Sequence, residues 1–315
     1  MPAPSFIAGD WGTSNLRLFL CDADGRVLAE VAGPGAAQVR GGFEATFDSL
    51  TAAWRATHGA LPAVLAGMVG STIGWVQVPY VACPVRPGEI AAGCGALRAG
   101  AINIVPGLSC QNPLGAPDVM RGEETQILGA LRLKPALGSG RHLLCLPGTH
   151  TKWVLLEDGV VSGFLTAPTG EVFAVLRDHT VLVHDRAPAV TPASAAAFAQ
   201  GLAEFNRLPG TQLLHRLFEC RSRRLSGDLA EPAAAPYLSG LLIASDVAGA
   251  LGAFDIGSAD RGVQLIGTPD LTALYTSALA LHGRTCTSLD GAVAALAGIV
   301  QVRHHLVSRV SAHAS

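Results

Sequence analysis

Phe6-Ile7-Ala8-Gly9-Asp10-Trp11-Gly12-Thr13-Ser14-Asn15-Leu16-Arg17-Leu18-Phe19-Leu20-Cys21 opens the chain as an apolar run, a loop rich in Gly and hydroxyls, and a second apolar run. Asp24-Gly25 then turns the chain back into residues 26–31. Asp-Gly between apolar runs favours a type I′ turn, because Gly tolerates positive φ. The stretch therefore reads as strand, loop, strand, turn, strand.

Residues 143–166 repeat that plan. An apolar strand over 143–146 leads into Pro147-Gly148-Thr149-His150-Thr151, a strand over 152–156, the turn Asp158-Gly159 and a return over 160–166. A Gly-Thr loop before a hairpin in both places points to a duplicated unit. Helical periodicity follows each unit, over 44–57 and 123–133 in the first half and over 192–205, 208–217, 237–251 and 271–281 in the second. Residues 64–68 and 263–266 read as short buried strands. Hairpin-led βα halves indicate two α/β domains. Their boundary is expected in the Gly, Pro and Ser linker after Lys134, giving domains 1–135 and 136–315.

The chain has 315 residues, 49% hydrophobic and 15% charged, with a formal net charge of -2. This composition builds two cores and excludes disorder. With no long basic run, it gives no footing for nucleic acid. Met1-Pro2-Ala3-Pro4 leads directly into a strand, without a targeting pattern. The apolar stretch 292–302 is shorter than the roughly 20 residues that span a bilayer, so a buried helix is expected and no membrane partner. Seven cysteines without a CxxC pair read as small core residues of a reducing, cytoplasmic compartment.

Several loops carry residues suited to chemistry. Asp10 ends the first strand and can hold Mg²⁺, usually through water. Gly12, Thr13, Ser14 and Asn15 offer close backbone approach, N–H groups and side-chain donors to phosphate, and Arg17 can neutralise transferred charge. Gly148, Thr149, His150 and Lys152 form a second candidate phosphate clamp. Met120-Arg121-Gly122-Glu123-Glu124-Thr125-Gln126 starts a helix, where carboxylates are favoured by the macrodipole. Glu123 or Glu124 is also a candidate general base, with Glu123 preferred. Gly70, Ser71 and Trp75 lie in a Gly-rich loop at a strand's carboxyl end, where α/β proteins bind ligands. Gly267 follows a strand and precedes a helix, as at an adenosine site. His179, His184, His304 and His305 show no metal-ligand spacing.

These motifs resemble those of the 2-dehydro-3-deoxygalactonokinases. The likeness is carried by Asp10-Trp11-Gly12-Thr13-Ser14-Asn15-Leu16-Arg17, Gly67-Met68-Val69-Gly70-Ser71 with Gly74-Trp75 and Pro79-Tyr80, and Val105-Pro106-Gly107-Leu108. It continues through Arg121-Gly122-Glu123-Glu124-Thr125-Gln126, Gly148-Thr149-His150-Thr151-Lys152-Trp153, Thr169-Gly170-Glu171 and Leu238-Ser239-Gly240-Leu241-Leu242-Ile243. It implies the actin, hexokinase and heat-shock ATPase superfold, with two similar ribonuclease H-like domains and a nucleotide cleft between them. It implies ATP and Mg²⁺ as cofactors, with Gly240 added to the ATP site and Arg121 to the substrate site. It further implies phosphorylation of the terminal hydroxyl of 2-dehydro-3-deoxy-D-galactonate in galactonate catabolism. The expected partners are the small sugar acid and ATP, with monomer or homodimer left open. The Arg-Gly-Glu-Glu helix start is also similar to that of exopolyphosphatases. A polyphosphate hydrolase, a kinase of a related sugar or sugar acid, and a non-catalytic nucleotide-gated protein are therefore the alternatives.

Overall fold

The computed structural model describes residues 2–40, 42–183, 192–207, 213–255 and 262–313. In the first half, β1 (Phe6–Trp11), β2 (Asn15–Cys21) and β3 (Val27–Pro34) form the meander, followed by α1 (Phe43–His58) and β4 (Ala63–Gly67). Then come β5 (Val81–Ala82), α2 (Pro87–Ala92), β6 (Gly95–Leu97), β7 (Ile102–Ile104), β8 (Leu108–Gln111), β9 (Pro117–Met120) and α3 (Glu123–Leu133). The second half runs β10 (Arg141–Leu146), β11 (Thr151–Glu157), β12 (Val160–Ala167), α4 (Thr169–His179), α5 (Pro192–Arg207), α6 (Leu213–Leu217) and α7 (Glu219–Ser226). It ends with α8 (Ala234–Ala253), β13 (Gly262–Gly267), α9 (Pro269–Ala280), β14 (Thr285–Asp290) and α10 (Gly291–His313). His184 and residues 208–212, the start of the helix expected over 208–217, lie outside the described residues.

Two sheets carry the duplication. One has the order β3-β2-β1-β4-β7-β6, the other β12-β11-β10-β13-β14. Each places its meander in reverse order and then adds a strand parallel to the first: β4 beside β1, β13 beside β10. β1 is buried almost throughout, as expected for a strand covered on both faces. β3, at the sheet edge, alternates between partial burial and exposure. A small third sheet, β5-β8-β9, was not expected from the sequence. Its last strand delivers the chain to Arg121.

The chain divides into two compact units. The first holds Met1–His142, Val154–Phe164 and Leu289–Ser315; the second holds Leu143–Trp153 and Leu165–Ser288. Neither unit is a single contiguous segment. Residues Val154–Phe164 fall in the first unit, and so does α10, which packs there on α3. A Cβ at Gly129 would lie 1.8 Å from Ala294 O, and one at Gly298 would lie 1.8 Å from Thr125 O, so the two helices meet backbone to backbone.

The first unit's core joins Ile7, Trp11, Leu16, Leu18, Phe47, Leu65 and Val69. The second unit's helical core joins Val183, Cys220, Tyr237, Leu238 and Leu241. The helical stretch Glu231–Ala253, which contains α8, is long and apolar enough in composition to cross a membrane, yet 56% of its most apolar 18 residues are buried inside the protein. Cys21, Cys145 and Cys220 are buried thiols, and burial pushes the Cys21 thiol up to about 11.

The two Asp-Gly turns differ. Asp158 and Gly159 both have positive φ, 51° and 72°, as a type I′ turn requires. At Asp24-Gly25 only Gly25 does, at 90°, so the expected type I′ turn does not form there. Asp22 Oδ1 accepts from the N–H groups of Asp24 and Arg26, and this local cap selects a longer connection.

Candidate active site

In the first unit, the pairing of β1 with β2 sets Asp10 opposite Arg17. Arg17 Nη2 donates to Asp10 Oδ2 at 2.8 Å, and both side chains remain about a third exposed, at 38% and 31%. Gly12 N–H donates to Asn15 O at 2.9 Å and closes the loop between them. The carbonyls of Gly12 and Thr13 accept from Ala36 and Ala37, so a 3-10 turn over Ala36–Gln38 buttresses the loop from behind. Thr13, Ser14 and Asn15 are exposed.

Three backbone segments converge on Gly67. It ends β4 beside Trp11, with φ 92°, and a Cβ there would lie 2.7 Å from Trp11 O. Gly122, with φ 108°, precedes α3, and a Cβ on it would lie 3.7 Å from Gly67 Cα. Glycine is needed at both positions, because other residues resist this φ and Gly67 also lacks room. The strand end bearing Asp10 is thereby brought beside the helix start bearing two carboxylates.

Those carboxylates occupy different environments. Glu123 is partly exposed, and its Oε2 accepts from Arg121 N–H at 3.1 Å. Glu124 is fully buried, and its Oε2 accepts from Gly122 N–H at 2.6 Å. Burial first, and the neighbouring Glu123 charge second, push the Glu124 carboxyl up to about 8. At neutral pH that group is mostly protonated and out of reach of a solute.

Arg121 stacks on the Tyr80 ring at 4.6 Å and donates from Nη2 to Val78 O at 2.7 Å. Its Nε and Nη1 are buried without a hydrogen-bond partner. Gly70 is beside it: a Cβ there would lie 2.8 Å from Arg121 Nη1. Ser71 Oγ donates to Met68 O and accepts from Ile73 N–H, which shapes the loop. Trp75, expected as a pocket wall, packs on Phe47 at 5.8 Å and lies beneath Arg98. Its ring is engaged in the core, and packing is the role these contacts give it.

In the second unit, Thr149 and His150 are exposed, with Gly148 half-buried. The first turn of α4 lies against this loop. Glu171 N–H donates to Thr149 O at 3.0 Å, and a Cβ at Gly170 would lie 2.5 Å from Gly148 O. His150 Nε2 and Glu171 Oε2 are 2.8 Å apart at the surface. Lys152, expected in the clamp, is buried and donates to Thr166 Oγ1 at 2.9 Å. Gly267 ends β13 beside Pro147. Gly240 lies elsewhere: it is buried in α8, and a Cβ on it would lie 2.3 Å from Phe198 O of α5. Its lack of a side chain serves close helix packing.

Sequence reasoning missed Asp246. It is the one charged residue in the apolar helix α8, and that isolation was the available signal. Its carboxylate accepts from Trp153 Nε1 at 2.8 Å, Thr169 Oγ1 at 2.7 Å and Tyr275 OH at 2.5 Å. Burial pushes this carboxyl up, against the pull of those hydrogen bonds. A recess of about 300 Å³ lies at the amino-terminal ends of β4 and β7, away from Asp10, and is lined by Pro62, Asn103, Arg303 and Val307 among others.

The sequence profile of the 2-keto-3-deoxy-galactonokinase family matches residues 10–302. The chain belongs to this kinase family. A Rhizobium meliloti protein named as a probable 2-dehydro-3-deoxygalactonokinase is 40% identical over 93% of this chain and 95% of its own length. The Escherichia coli 2-dehydro-3-deoxygalactonokinase is 34% identical over 95% of this chain and 97% of its own. A crystal structure of a Sinorhizobium meliloti protein assigned as 2-dehydro-3-deoxygalactonokinase superposes with a TM-score of 0.84 at 38% identity, covering 96% of this chain and 99% of that one. In this 2-keto-3-deoxy-galactonokinase-family chain, the two hairpin-led sheets are the duplicated unit that the sequence pattern implied.

Proposed function

We propose that the chain transfers the γ-phosphate of ATP to the terminal hydroxyl of 2-dehydro-3-deoxy-D-galactonate, giving the 6-phosphate in galactonate catabolism. The family match over residues 10–302 supports the reaction. The observation that carries the chemistry is the convergence on Gly67, which sets Asp10 and Glu123 in neighbouring segments.

Phosphoryl transfer asks a protein mainly for positioning and charge stabilisation. Glu123, partly exposed at the start of α3, accepts the proton of the attacking hydroxyl. That oxygen bonds to the γ-phosphorus, the bond to the bridging oxygen breaks, and ADP leaves. Glu124 is a poor base, since its buried carboxyl already holds a proton at neutral pH. Thr13, Ser14, Asn15 and Arg17 offer donors and charge to phosphate oxygens. Gly148, Thr149 and His150 offer the same kind of loop from the second unit, and Gly267 leaves room for the adenosine. The burial of Lys152, the core packing of Trp75 and the helix packing of Gly240 leave these three out of the proposed contacts.

Mg²⁺ fits Asp10. The side chain is a half-buried carboxylate at a strand end, and no group of three or more ligating residues occurs among the described residues. Such a site suits an ion held mainly by phosphates and water. When bound, Mg²⁺ neutralises charge on the β- and γ-phosphates. Gly70, Ser71 and Arg121 are proposed for the sugar acid, with the unmet donors of Arg121 matched to an anionic group. The cytoplasm, which supplies ATP and a reducing environment for seven free cysteines, is the compartment this reading implies.

The test is a phosphorylation screen with ATP and Mg²⁺ over 2-dehydro-3-deoxygalactonate, its gluconate epimer and plain hexoses. Preferred formation of the galactonate 6-phosphate is expected. Phosphate release from ATP or polyphosphate without a sugar acceptor would favour the hydrolase. The family match and the relatives' names give that alternative no support.

A further inference from the structure

Asp246 lies outside every motif read from the sequence, yet it joins three elements of the second unit. It is a half-buried carboxylate in the middle of α8, between Ser245 and Val247. Oδ1 accepts from Trp153 Nε1 on β11, and Oδ2 accepts both from Thr169 Oγ1 at the start of α4 and from Tyr275 OH on α9. Tyr275 OH also meets Thr151 Oγ1 at 2.8 Å, and its ring lies 6.2 Å from that of Trp153. Thr151 and Trp153 are the residues through which the chain leaves the Gly148-Thr149 loop. Thr169 precedes Gly170 and Glu171, the residues that touch Gly148 and Thr149.

One carboxylate therefore holds both structures that border the loop: the strand that leaves it and the helix turn packed against it. A carboxylate inside an apolar helix is costly to bury unless hydrogen-bonded. A core needing only cohesion would use an apolar side chain at this position. Donors of fixed direction from three elements define an orientation, which apolar contacts do not.

We propose that Asp246 is a positioning residue for the second Gly-Thr loop, setting the backbone of Gly148 and Thr149 where it meets the nucleotide phosphates. This rests on the reading of that loop as a phosphate clamp. The residue itself touches no substrate.

The test uses steady-state kinetics of the full chain, with KM measured separately for ATP and for the sugar acid. Asp246→Asn keeps the volume but loses an acceptor, and Thr169→Val and Tyr275→Phe each remove one donor if Asp246→Asn fails to fold. All three should raise KM for ATP by about tenfold, since small displacements of positioning groups carry large kinetic cost. KM for the sugar acid should stay within about twofold, a split that plain loss of stability does not produce. Gly148→Val tests the underlying reading, because a Cβ there meets nothing within 4 Å and would obstruct only an incoming ligand. If Gly148→Val leaves ATP kinetics unchanged, the loop is no phosphate clamp and the proposal falls with it. If Gly148→Val impairs ATP use while the other variants lower only the melting temperature, Asp246 is structural and the proposal alone is overturned.

Discussion

Arg17 Nη2 lies 2.8 Å from Asp10 Oδ2, across the register pair that joins β1 and β2. An ion pair this exposed adds only about 0–1 kcal/mol to stability. Its consequence is geometric, because it keeps a carboxylate and a guanidinium side by side at the mouth of the first loop. Asp10→Asn should leave the melting temperature nearly unchanged and lower turnover by more than about tenfold, which corresponds to about 1.4 kcal/mol of transition-state stabilisation. Initial rates at saturating ATP and Mg²⁺ check this. Near-normal turnover would remove Asp10 from the mechanism.

Adjacent residues on a helix diverge by about 100°, so Glu123 and Glu124 cannot share one role. Glu123→Gln should reduce kcat by about 10² or more while ATP binding persists, the usual scale for a positioned base. Glu124→Gln should retain far more turnover, since Gln can still accept from Gly122 N–H. Titration calorimetry with ATP and single-turnover rates separate binding from chemistry. Equal, mild losses in both variants would mean that neither is the base.

The Glu124 carboxyl makes stability depend on pH. Its pKa rises from 4.5 to about 8 on folding, so between these values the native state holds a proton that the unfolded chain releases. That contribution is fully present below about 4.5 and is lost as pH rises through about 8. Wild type should therefore lose melting temperature relative to Glu124→Gln as pH increases from 5 to 8.5. Comparing the two proteins cancels the histidines they share. A difference independent of pH would show that the buried carboxyl titrates normally.

The crossing of α3 and α10 leaves no room for a methyl group at Gly129, where a Cβ would lie 1.8 Å from Ala294 O. Gly129→Ala should destabilise the protein by about 1–3 kcal/mol, the range for overpacking a filled contact, despite the better helix propensity of Ala. Urea denaturation should show a lower midpoint with an unchanged slope. A midpoint equal to that of wild type would mean that the helices separate at little cost.

Much of the site was legible because its segments are local. Asp10, the loop after it and Arg17 are contiguous, although the ion pair between Asp10 and Arg17 was not read from the sequence. Glu123 and Glu124 were legible as a helix start, but their separate roles were not. Adjacent carboxylates look alike in a sequence, and only burial distinguishes the protonated one from the accessible one. Gly240 and Trp75 look like ligand contacts in a motif; their packing against α5 and against Phe47 and Arg98 depends on partners distant in the chain.

The sequence by itself determined the two hairpin-led sheets, the Gly-Thr loop before each hairpin and the family, since each is written in short-range pattern and turn chemistry. Tertiary structure alone decided that α10 returns to the first unit, that Gly67 and Gly122 meet, and that Asp246 gathers Trp153, Thr169 and Tyr275. These are contacts between segments tens to hundreds of residues apart. No local periodicity records them, because they follow from how apolar faces and close backbone approaches are satisfied together.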